Sequence, residues 1–358
     1  MRVALIARST LHRVPGGDTV QVLQTAAGLN SLGVTAQVKL ANETIDYNGF
    51  DLLHFFNIAR PADILRHIQH ADKPYVVSTI LFDHSEYDKY HRKGLGMLFS
   101  HLSGDHIEYL KTVARCLRGK DSLVSPAYLW KGQYKSIVQV IKGAAMLLPN
   151  SVSEYRRLVA KYTETAKYHV VPNGIDPELF IGLNQIKKDD NLVVCAARIE
   201  GVKNQVNLIK ALNNTRFRLL LIGTYAPNQH NYYQECRDIA AANIEFIGHL
   251  PQAELLKYYS QAKVHVLPSW FETTGLSTME AAAMGCNVVI TDKGDTRAYF
   301  EDNAFYCDPD SPESIRQAVE KASEANFNEA FRQKILNNYT WKQAAIQTLQ
   351  AYQTSIAS

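Results

Sequence analysis

The sequence predicts an α/β protein with two doubly wound parallel sheets, one in each half of the chain. Short apolar runs of four to seven residues alternate with helical patterns almost throughout its 358 residues. Such runs are typical of parallel strands that helices cover on both faces. The length agrees with two domains of roughly 150 residues each. Because ligands of such folds bind outside the carboxyl ends of the strands, we expect a central cleft that both domains face.

The predicted strands define the domains. The first half contains RVALIA, TAQVKL, DLLHFFN, PYVVSTI and AAMLLPN, and the second contains YHVVPNG, NLVVCAAR, FRLLLIGT, NIEFIGHL, AKVHVLPS, NVVITD and AFYCD. We predict an N-terminal domain over residues 1–172, a turn-rich and charged linker over 173–190, and a C-terminal domain over 191–339. The last segment, 340–358, keeps helical spacing, and we expect it to cross back to the N-terminal domain.

Charge narrows the functional class. A net charge of +3 over the whole chain does not favour a general nucleic-acid binder. The N-terminal domain contains a predicted helical insertion, residues 85–142. Within it, the stretch from Lys89 to Lys142 has ten lysines and arginines but three acidic residues. This excess fits either solvated helix faces or a surface for an anionic partner, such as phospholipid headgroups or a diphosphate-linked acceptor.

Cysteine usage and hydropathy predict a cytoplasmic protein. The five cysteines are odd in number and form no Cys-x-x-Cys motif, which favours reduced thiols in the core. The first residues, MRVALIARST, lack the apolar length of a signal peptide, and no apolar run approaches the roughly 20 residues of a membrane span. The basic insertion, 85–142, also offers a peripheral contact with the inner face of an anionic membrane.

Two short motifs indicate a phosphate-bearing ligand. The loop VPGGDTV follows the first strand, and its Gly16 and Gly17 let backbone N–H groups approach an anion at a helix N-terminus. After the strand NLVVCAAR, Arg198 and Lys203 lie five residues apart. A guanidinium fork and an ammonium group can hold the two phosphates of a nucleoside diphosphate. Taken singly, each motif also fits an ordinary turn or an exposed loop.

Two glutamates lie on the segment PSWFETTGLSTMEAAAMGCNVVITD, which predicts a strand end, a loop and an Ala-rich helix. Glu272 lies in the loop, and Glu280 lies about one and a half turns inside the helix. Such carboxylates can accept hydrogen bonds from vicinal hydroxyl pairs, one on a sugar and one on a ribose. We expect Gly285 to end the helix. An acid near a helix start also serves as a partner of the helix dipole, so that alternative stays open.

Together these motifs resemble those of the family four glycosyltransferases (glycosyl transferases group 1), which are retaining enzymes of the GT-B fold. The resemblance covers nearly the whole chain and is strongest over residues 168–300, through VPNGID, RIEGVK, IEFIGHLP and LPSWFETTGLSTMEAAAMGCNVV. It implies two doubly wound Rossmann-like domains that face a central cleft. It also implies front-face displacement, in which basic side chains rather than a required metal neutralise the leaving diphosphate.

The resemblance implies a role for each matched residue. Glu272 would hold hydroxyl groups of the transferred sugar, and Glu280 would hold the ribose of the nucleotide. Arg198 and Lys203 would hold the diphosphate, with help from the glycine loop of the other domain. The other substrate-binding residues would line the base pocket or the sugar subsite; they are Gly223, Ile247, His249, Thr274, Gly275 and Leu276.

Two departures from the family pattern concern the substrate subsites. The family commonly reads EGFGL where this chain reads ETTGL over residues 272–276, so we expect a differently shaped sugar subsite. The family also often has a histidine shortly after its fourth strand, and this chain has Asp83 and His84 in a shifted position. We predict that Asp83 or His84 lines the acceptor side, and that His54 is a core or cleft-wall histidine.

One further motif bears on metal binding. Residues 308–310, Asp-Pro-Asp, have the D-x-D form that holds a metal–nucleotide complex in a different transferase fold. Here the motif lies between a predicted strand and the predicted helix SPESIRQAVEKA, where helix capping explains it better. We therefore predict no metal site and no cofactor, with a nucleoside diphosphate sugar as the donor substrate.

The predicted function is the retaining transfer of a hexose-type sugar from a UDP- or GDP-type donor. The predicted acceptor is a glycan or a polyprenyl-diphosphate-linked molecule, in surface polysaccharide or glycoconjugate biosynthesis. Two alternatives stay open, a nucleotide-sugar 2-epimerase with the GT-B frame and a non-catalytic nucleotide-sugar binder. Donor turnover with and without acceptor separates the three.

Overall fold

The chain forms two compact units. The computed structural model describes residues 1–83, 85–88, 104–117, 126–180 and 187–357. The first unit comprises Met1–Asn173 and Trp341–Ser358, and the second unit comprises Gly174–Thr340. Among the described residues, no helix is both long and apolar enough to cross a membrane.

A five-stranded parallel sheet forms the centre of the first unit. Its strands are β1 (Arg2–Ala7), β2 (Thr35–Leu40), β3 (Leu52–Phe56), β4 (Tyr75–Ser78) and β5 (Met146–Leu148), in the order β2-β1-β3-β4-β5. All four pairings are parallel. Four of these strands, β1 and β3 to β5, are buried almost throughout, as the unbroken apolar runs predict. The strand order reverses between β1 and β3, which is where such sheets open to ligands.

The helices of the first unit follow its strands. They are α1 (Gly17–Ser31), α2 (Pro61–Ile68), α3 (Gly104–Leu117), α4 (Pro126–Gly143) and α5 (Val152–Tyr162). Two of them, α3 and α4, belong to the predicted insertion. The backbone of α4 leaves the helical conformation at Gly132, where φ is 71°. Lys89, at the start of the basic stretch, lies outside the described residues.

A six-stranded parallel sheet forms the centre of the second unit. Its strands are β6 (Asp189–Ala196), β7 (Arg218–Ile222), β8 (Ile244–Gly248), β9 (Ala262–Leu267), β10 (Asn287–Thr291) and β11 (Phe305–Cys307). The order is β11-β10-β9-β6-β7-β8, so the winding reverses between β6 and β9. Successive residues of β6 serve opposite faces, because Val193 packs in one core cluster and Val194 in the other. The predicted α/β class with two parallel sheets is confirmed.

In the described part of the second unit, seven helices cover the two faces of this sheet. They are α6 (Gln205–Leu212), α7 (His230–Ile239), α8 (Gln252–Gln261), α9 (Leu276–Ala283), α10 (Thr296–Phe300), α11 (Pro312–Glu324) and α12 (Glu329–Asn338). Of the segment predicted as a linker, 173–190, Asn173 belongs to the first unit and the other described residues belong to the second. Phe180 is buried in the core, and Ile175 pairs with Thr340. Single apolar residues make these contacts, so no periodic pattern reveals them.

The last helix, α13 (Trp341–Ala357), belongs to the first unit. It packs against α1 at Gly28, where an added Cβ would lie 2.6 Å from the Cβ of Ala345. The hydroxyl of Tyr352 lies 2.6 Å from Nδ1 of the fully buried His54, whose Nε2 lies 2.9 Å from Ser78 Oγ. Burial lowers the pKa of His54 to about 3, so its ring is neutral. Of the two roles considered for His54, the structure supports the core histidine.

Candidate active site

Two loops of the second unit meet where β6 and β9 end. The backbone N–H of Trp270 donates to the carbonyl of Val202 at 2.9 Å, which ties the loops together. Lys203 Nζ contacts Oε1 of Glu272, and Ser269 Oγ donates to the same oxygen at 2.7 Å. The Glu272 side chain is buried, so this is a largely desolvated ion pair. Because both bonds reach Oε1, the second carboxylate oxygen has no donor among the described residues and can accept one from a ligand hydroxyl group.

Asn204 holds the two loops in register, and sequence reasoning missed it. Its backbone is left-handed, with φ at 61°, a conformation that asparagine tolerates better than most residues. Its side-chain amide donates to the carbonyl of Pro268 at 3.1 Å and to that of Pro309 at 2.6 Å. The signal in the sequence was an asparagine placed between Lys203 and the start of α6. Asn204 therefore fixes the direction from which Lys203 reaches Glu272.

The backbone of Glu272 is held from the other side by the turn after β10. Its N–H donates to the carbonyl of Lys293 at 3.1 Å, and its carbonyl accepts from the N–H of Asp295 at 2.8 Å. Between them, Gly294 has φ at 101°, and an added Cβ there would lie 2.1 Å from the carbonyl oxygen of Glu272. Only glycine permits this approach. The position of Glu272 thus depends on a residue 22 positions later in the chain.

Arg198 also lies at the carboxyl ends of the strands, but its side chain pairs with a carboxylate other than Glu272. Its guanidinium group donates to Glu200 Oε1 at 3.0 Å, and its side chain is exposed. Its backbone carbonyl accepts from the Gln205 side chain at 2.9 Å, which connects Arg198 to the first turn of α6. The structure therefore brings Lys203 and Glu272 together, while the Arg198 side chain pairs with a neighbouring carboxylate.

The ends of β7 and β8 carry the residues predicted for the base pocket. Gly223 has φ at 148°, and an added Cβ would lie 2.1 Å from the carbonyl oxygen of Ala197, directly before Arg198. The N–H of Gly223 donates to the carbonyl of Gly248 at 2.7 Å. Beside Gly248, Ile247 is half-buried and His249 is exposed. The structure thus places these residues at the carboxyl ends of neighbouring strands, next to the backbone that carries Arg198.

Glu280 lies in the second turn of α9, and the first turn has no acidic residue. Because a carboxylate interacts with the helix dipole mainly from the first turn, the dipole does not explain Glu280. Its side chain is half-buried, and its Oε1 accepts from Gln252 Nε2 at 3.0 Å. Burial raises the pKa of Glu280 to about 7, and the hydrogen bond from Gln252 lowers it in part. Sequence reasoning missed Gln252, which is 28 residues away in the chain.

The turn between the two glutamates begins and orients α9. Gly275 is the residue before the helix and has a left-handed backbone with φ at 72°. Thr274 is buried and Leu276 is half-buried. At the other end Gly285 is also left-handed, with φ at 76°, and its N–H donates to the carbonyl of Ala282 at 2.9 Å. The predicted end of the helix is confirmed.

The glycine loop belongs to the first unit and is held by an internal ion pair. α1 begins at Gly17, and the N–H of Gly16 donates to Thr19 Oγ1 at 3.1 Å. Arg8, after β1, donates from Nε and Nη2 to the two carboxylate oxygens of Asp18 at 2.5 and 3.0 Å. The Asp18 carboxylate also accepts from the N–H of Thr19 at 2.9 Å. The anionic group at this helix N-terminus is therefore the chain's own Asp18.

The acceptor-side candidates follow β4. Asp83 is exposed, and its Oδ1 accepts from the N–H of Ser85 at 2.9 Å, whereas His84 lies outside the described residues. The preceding turn is strained at Ile80, whose φ is 43°. The N–H of Leu81 donates to Oε1 of the fully buried Glu154 at 2.7 Å, which stabilises this turn.

The Asp-Pro-Asp segment closes a turn before α11. Asp308 Oδ1 accepts from the N–H of Asp310 at 3.0 Å, and the Asp308 carbonyl accepts from the N–H of Ser311 at 3.2 Å. The helix cap itself is Ser311, whose hydroxyl accepts from the N–H of Ser314 at 3.1 Å. The prediction that Asp-Pro-Asp caps the helix was therefore wrong in its residue, because Ser311, directly after Asp310, occupies the capping position.

Comparison with known proteins agrees with this arrangement. Residues 179–339 match the family model described as glycosyl transferases group 1. An uncharacterised glycosyltransferase of Methanocaldococcus jannaschii is 23% identical, over 99% of this chain and 99% of that one. Sucrose-phosphate synthase from Thermosynechococcus elongatus has a TM-score of 0.75 at 15% identity, over 100% of this chain and 99% of that one. The Anabaena protein HepE, in complex with UDP and glucose, has a TM-score of 0.67 at 15% identity, over 99% of both chains. The chain therefore has the GT-B fold, the comparisons support a glycosyltransferase, and residues 179–339 are the part that matches the glycosyl transferases group 1 model.

Proposed function

We propose that this glycosyltransferase moves a hexose-type sugar from a UDP- or GDP-type donor, with retention at the anomeric carbon. The acceptor is a glycan or a polyprenyl-diphosphate-linked molecule of surface polysaccharide or glycoconjugate biosynthesis. The contact of Lys203 and Ser269 with Glu272, at the reversal point of the second sheet, carries the proposal. It places an ammonium group beside a carboxylate in a largely desolvated position, where both bind more strongly than in water.

The proposed division of labour follows from these contacts. Lys203 and Arg198 both follow the end of β6. A diphosphate bound there can replace Glu272 as the partner of the Lys203 ammonium group and Glu200 as the partner of the Arg198 guanidinium group. Glu272 then offers its oxygens to hydroxyl groups of the sugar. With Glu272 engaged by sugar hydroxyl groups, the proposed reaction is one in which the leaving diphosphate, and not Glu272, takes the acceptor proton.

The donor is identified by ligand stabilisation. HepE is also solved in complex with UDP-glucose, so UDP-glucose is the first donor to test, beside the UDP and GDP forms of other hexoses. A ligand at a hundred times its dissociation constant adds about 2.7 kcal/mol to the free energy of unfolding, which a melting curve detects. Anomeric NMR of the product then tests retention, and turnover in EDTA tests the metal-independent route, which stays a prediction.

We expect Arg198→Gln and Lys203→Gln each to weaken nucleoside diphosphate binding while the free nucleoside binds unchanged. Glutamine keeps a hydrogen-bond donor for the partner carboxylate, Glu200 for Arg198 and Glu272 for Lys203, but removes the charge. A charge-assisted hydrogen bond contributes about 1.5–3 kcal/mol, so each loss should be about tenfold or more in affinity. Isothermal titration with UDP, GDP and uridine measures it.

The matched control is Arg218→Gln. Arg218 is an exposed arginine paired with Glu245. It is the first residue of β7, so it lies at the amino ends of the strands, opposite to the ends that Arg198 and Lys203 follow. This change should leave nucleotide binding unaltered. If Arg198→Gln and Lys203→Gln bind UDP and GDP as tightly as the parent does, the phosphate assignment is wrong.

A further inference from the structure

The first unit exposes an aromatic and aliphatic cluster on α4. Trp130 is 92% exposed, and its neighbours Leu129 and Tyr134 are each 47% exposed. Among the described residues, Trp130 is the only large apolar side chain that is more than half exposed. Exposed apolar clusters on a folded domain mark contact surfaces more often than isolated apolar residues do.

The cluster lies on a well-anchored turn. The helix breaks at Gly132 directly after Lys131, and Tyr128 and Gln133 on either side are buried. Tyr128 Oη donates to Gln133 Oε1 at 2.6 Å, and Gln133 Nε2 donates to the carbonyl of Ala59 at 2.7 Å. These bonds fix the break against the body of the unit. Trp130 is therefore held outward by buried partners on both sides of it.

The hydrogen bond from α3 adds to this anchoring. Tyr109 Oη donates to the carbonyl of Leu129 at 3.1 Å, and its ring lies against that of Tyr128 with centroids 5.5 Å apart. Tyr134 in turn contacts the ring of Tyr162, with centroids 5.4 Å apart. The backbone that carries these exposed apolar side chains is therefore held in place by hydrogen bonds and ring contacts.

The charge around the cluster is positive. α4 has three lysines, Lys131, Lys135 and Lys142, all exposed, and no acidic residue. The neighbouring α3 has two acids, but both are paired. Asp105 accepts from Lys161 at 3.1 Å, and Glu108 accepts from Lys111 at 2.8 Å. Lys131 and Lys135 form no ion pair with a described residue, so an anionic partner meets their charges beside the apolar cluster.

We propose that Leu129, Trp130, Lys131, Tyr134 and Lys135 form a contact surface for an anionic lipid bilayer; we call it the Trp130 surface. Tryptophan and tyrosine prefer the level of the lipid headgroups, and lysines beside them bind anionic headgroups. A second copy of the chain fits less well, because a symmetric contact would bring like charges together. The inference deepens the proposed function, since a polyprenyl-linked acceptor lies at a membrane.

Tryptophan fluorescence tests the Trp130 surface directly. The chain has three tryptophans, and the other two, Trp270 and Trp341, are buried. Vesicles with an anionic phosphatidylglycerol fraction should shift the emission to shorter wavelength, and brominated lipid should quench it. Neutral phosphatidylcholine vesicles and high salt should suppress both effects. Trp130→Phe should remove the spectral change while much of the sedimentation with vesicles remains, because phenylalanine still inserts.

Charge variants separate this surface from other basic segments. Lys131→Gln and Lys135→Gln should each weaken binding to anionic vesicles about fivefold, as expected for one cation near such a surface. Lys210→Gln and Lys321→Gln are the matched controls, because both lysines are exposed on helices of the second unit. These two changes should leave vesicle binding as it is in the parent.

Three results would overturn the proposal. One is no spectral change and no sedimentation with anionic vesicles at low salt. Another is binding that the Lys131 and Lys135 changes do not weaken. The third is a concentration-dependent spectral shift without lipid, which would assign the surface to a second copy of the chain. Nucleotide stabilisation, measured on the same variants, reports on the second unit alone, so failure of the proposed donor chemistry stays distinguishable from failure at the membrane.

Discussion

Glu272 and Glu280 lie on one loop–helix segment, yet their carboxylates have different partners. Glu272 contacts an ammonium group and a hydroxyl group, from Lys203 and Ser269, whereas Glu280 accepts a hydrogen bond from the neutral amide of Gln252. Burial raises the pKa of Glu280 to about 7, with a smaller opposite effect of Gln252. Glu280 therefore changes its charge within the neutral range, which makes it a testable residue even before a substrate is known.

We predict that Glu280→Gln removes a part of the pH dependence of stability. In the unfolded chain this carboxyl group loses its proton near its ordinary pKa of 4.5, whereas in the folded protein it keeps the proton up to about pH 7. Between these values the folded state binds more protons, so the free energy of unfolding falls as the pH rises from about 4.5 to 7. The variant cannot titrate, and urea unfolding between pH 4.5 and 8 should show a flatter slope.

Glu254→Gln is the matched control, since Glu254 is an exposed glutamate on α8, the helix that also carries Gln252. It should leave the slope as it is in the parent. If a ribose binds Glu280, donor affinity should also rise with pH through about 7 in the parent, and Glu280→Gln should lose this rise together with part of the affinity. Equal slopes in the parent and in Glu280→Gln would show that Glu280 ionises near its ordinary pKa.

At the scale of elements, the close approach of backbones decides which glycines the second unit requires. Gly294 and Gly248 both have a left-handed backbone, with φ at 101° and 79°. An added Cβ at Gly294 would lie 2.1 Å from the carbonyl oxygen of Glu272, whereas at Gly248 it would meet nothing within 4 Å. The two sites therefore separate backbone strain from a steric clash.

We expect Gly248→Ala to cost about 1–2 kcal/mol of stability, the usual penalty of a left-handed backbone for a residue with a Cβ. Gly294→Ala should cost more, because the loop that carries Glu272 must also move. Urea unfolding measures both, and titration with a nucleotide sugar and with the bare nucleotide should show a loss of the sugar contribution to affinity for Gly294→Ala, because its turn holds Glu272. A Gly294→Ala protein as stable as Gly248→Ala would mean that the loop relaxes without resistance.

All but one of the predicted strands, and the two site loops, were predictable because their signals are local; the exception, YHVVPNG, forms an isolated bridge between Tyr168 and Leu147 in the first unit. Unbroken apolar runs marked both sheets, and the order of strand, loop and Ala-rich helix placed Glu272 and Glu280 correctly. The partners of these residues were not predictable from one sequence. Gln252, Gly294 and Asn204 act through contacts between distant segments or through a left-handed backbone, and neither leaves a periodic pattern. In the segment predicted as a linker, single residues such as Phe180 are buried without a periodic pattern.

At the scale of the whole molecule, the chain begins and ends in the same unit. The second unit is one continuous segment, Gly174–Thr340, and the first unit is completed by the helix that follows it. That helix, α13, covers α1 and supplies the partner of a buried histidine, His54. The first unit therefore depends on a helix that follows the whole second unit in the chain, whereas the described strands and helices of the second unit all come from one continuous segment.

We predict that removing residues 341–358 destabilises the first unit and leaves the second folded. The deletion uncovers α1 at Gly28 and takes the Tyr352 hydroxyl from His54, which is neutral and fully buried. Hydrogen exchange should then show lost protection in β1 and β3, with β6 and β9 unchanged. Tyr352→Phe tests the contact alone. It should cost about 1–3 kcal/mol, because it leaves a buried polar atom without its partner. Gln353→Ala, at the exposed neighbouring position, is the control and should have little effect. Equal loss of protection in both sheets would show that the two units unfold together, and full protection of β1 and β3 in the deletion would show that α13 is dispensable to the first unit.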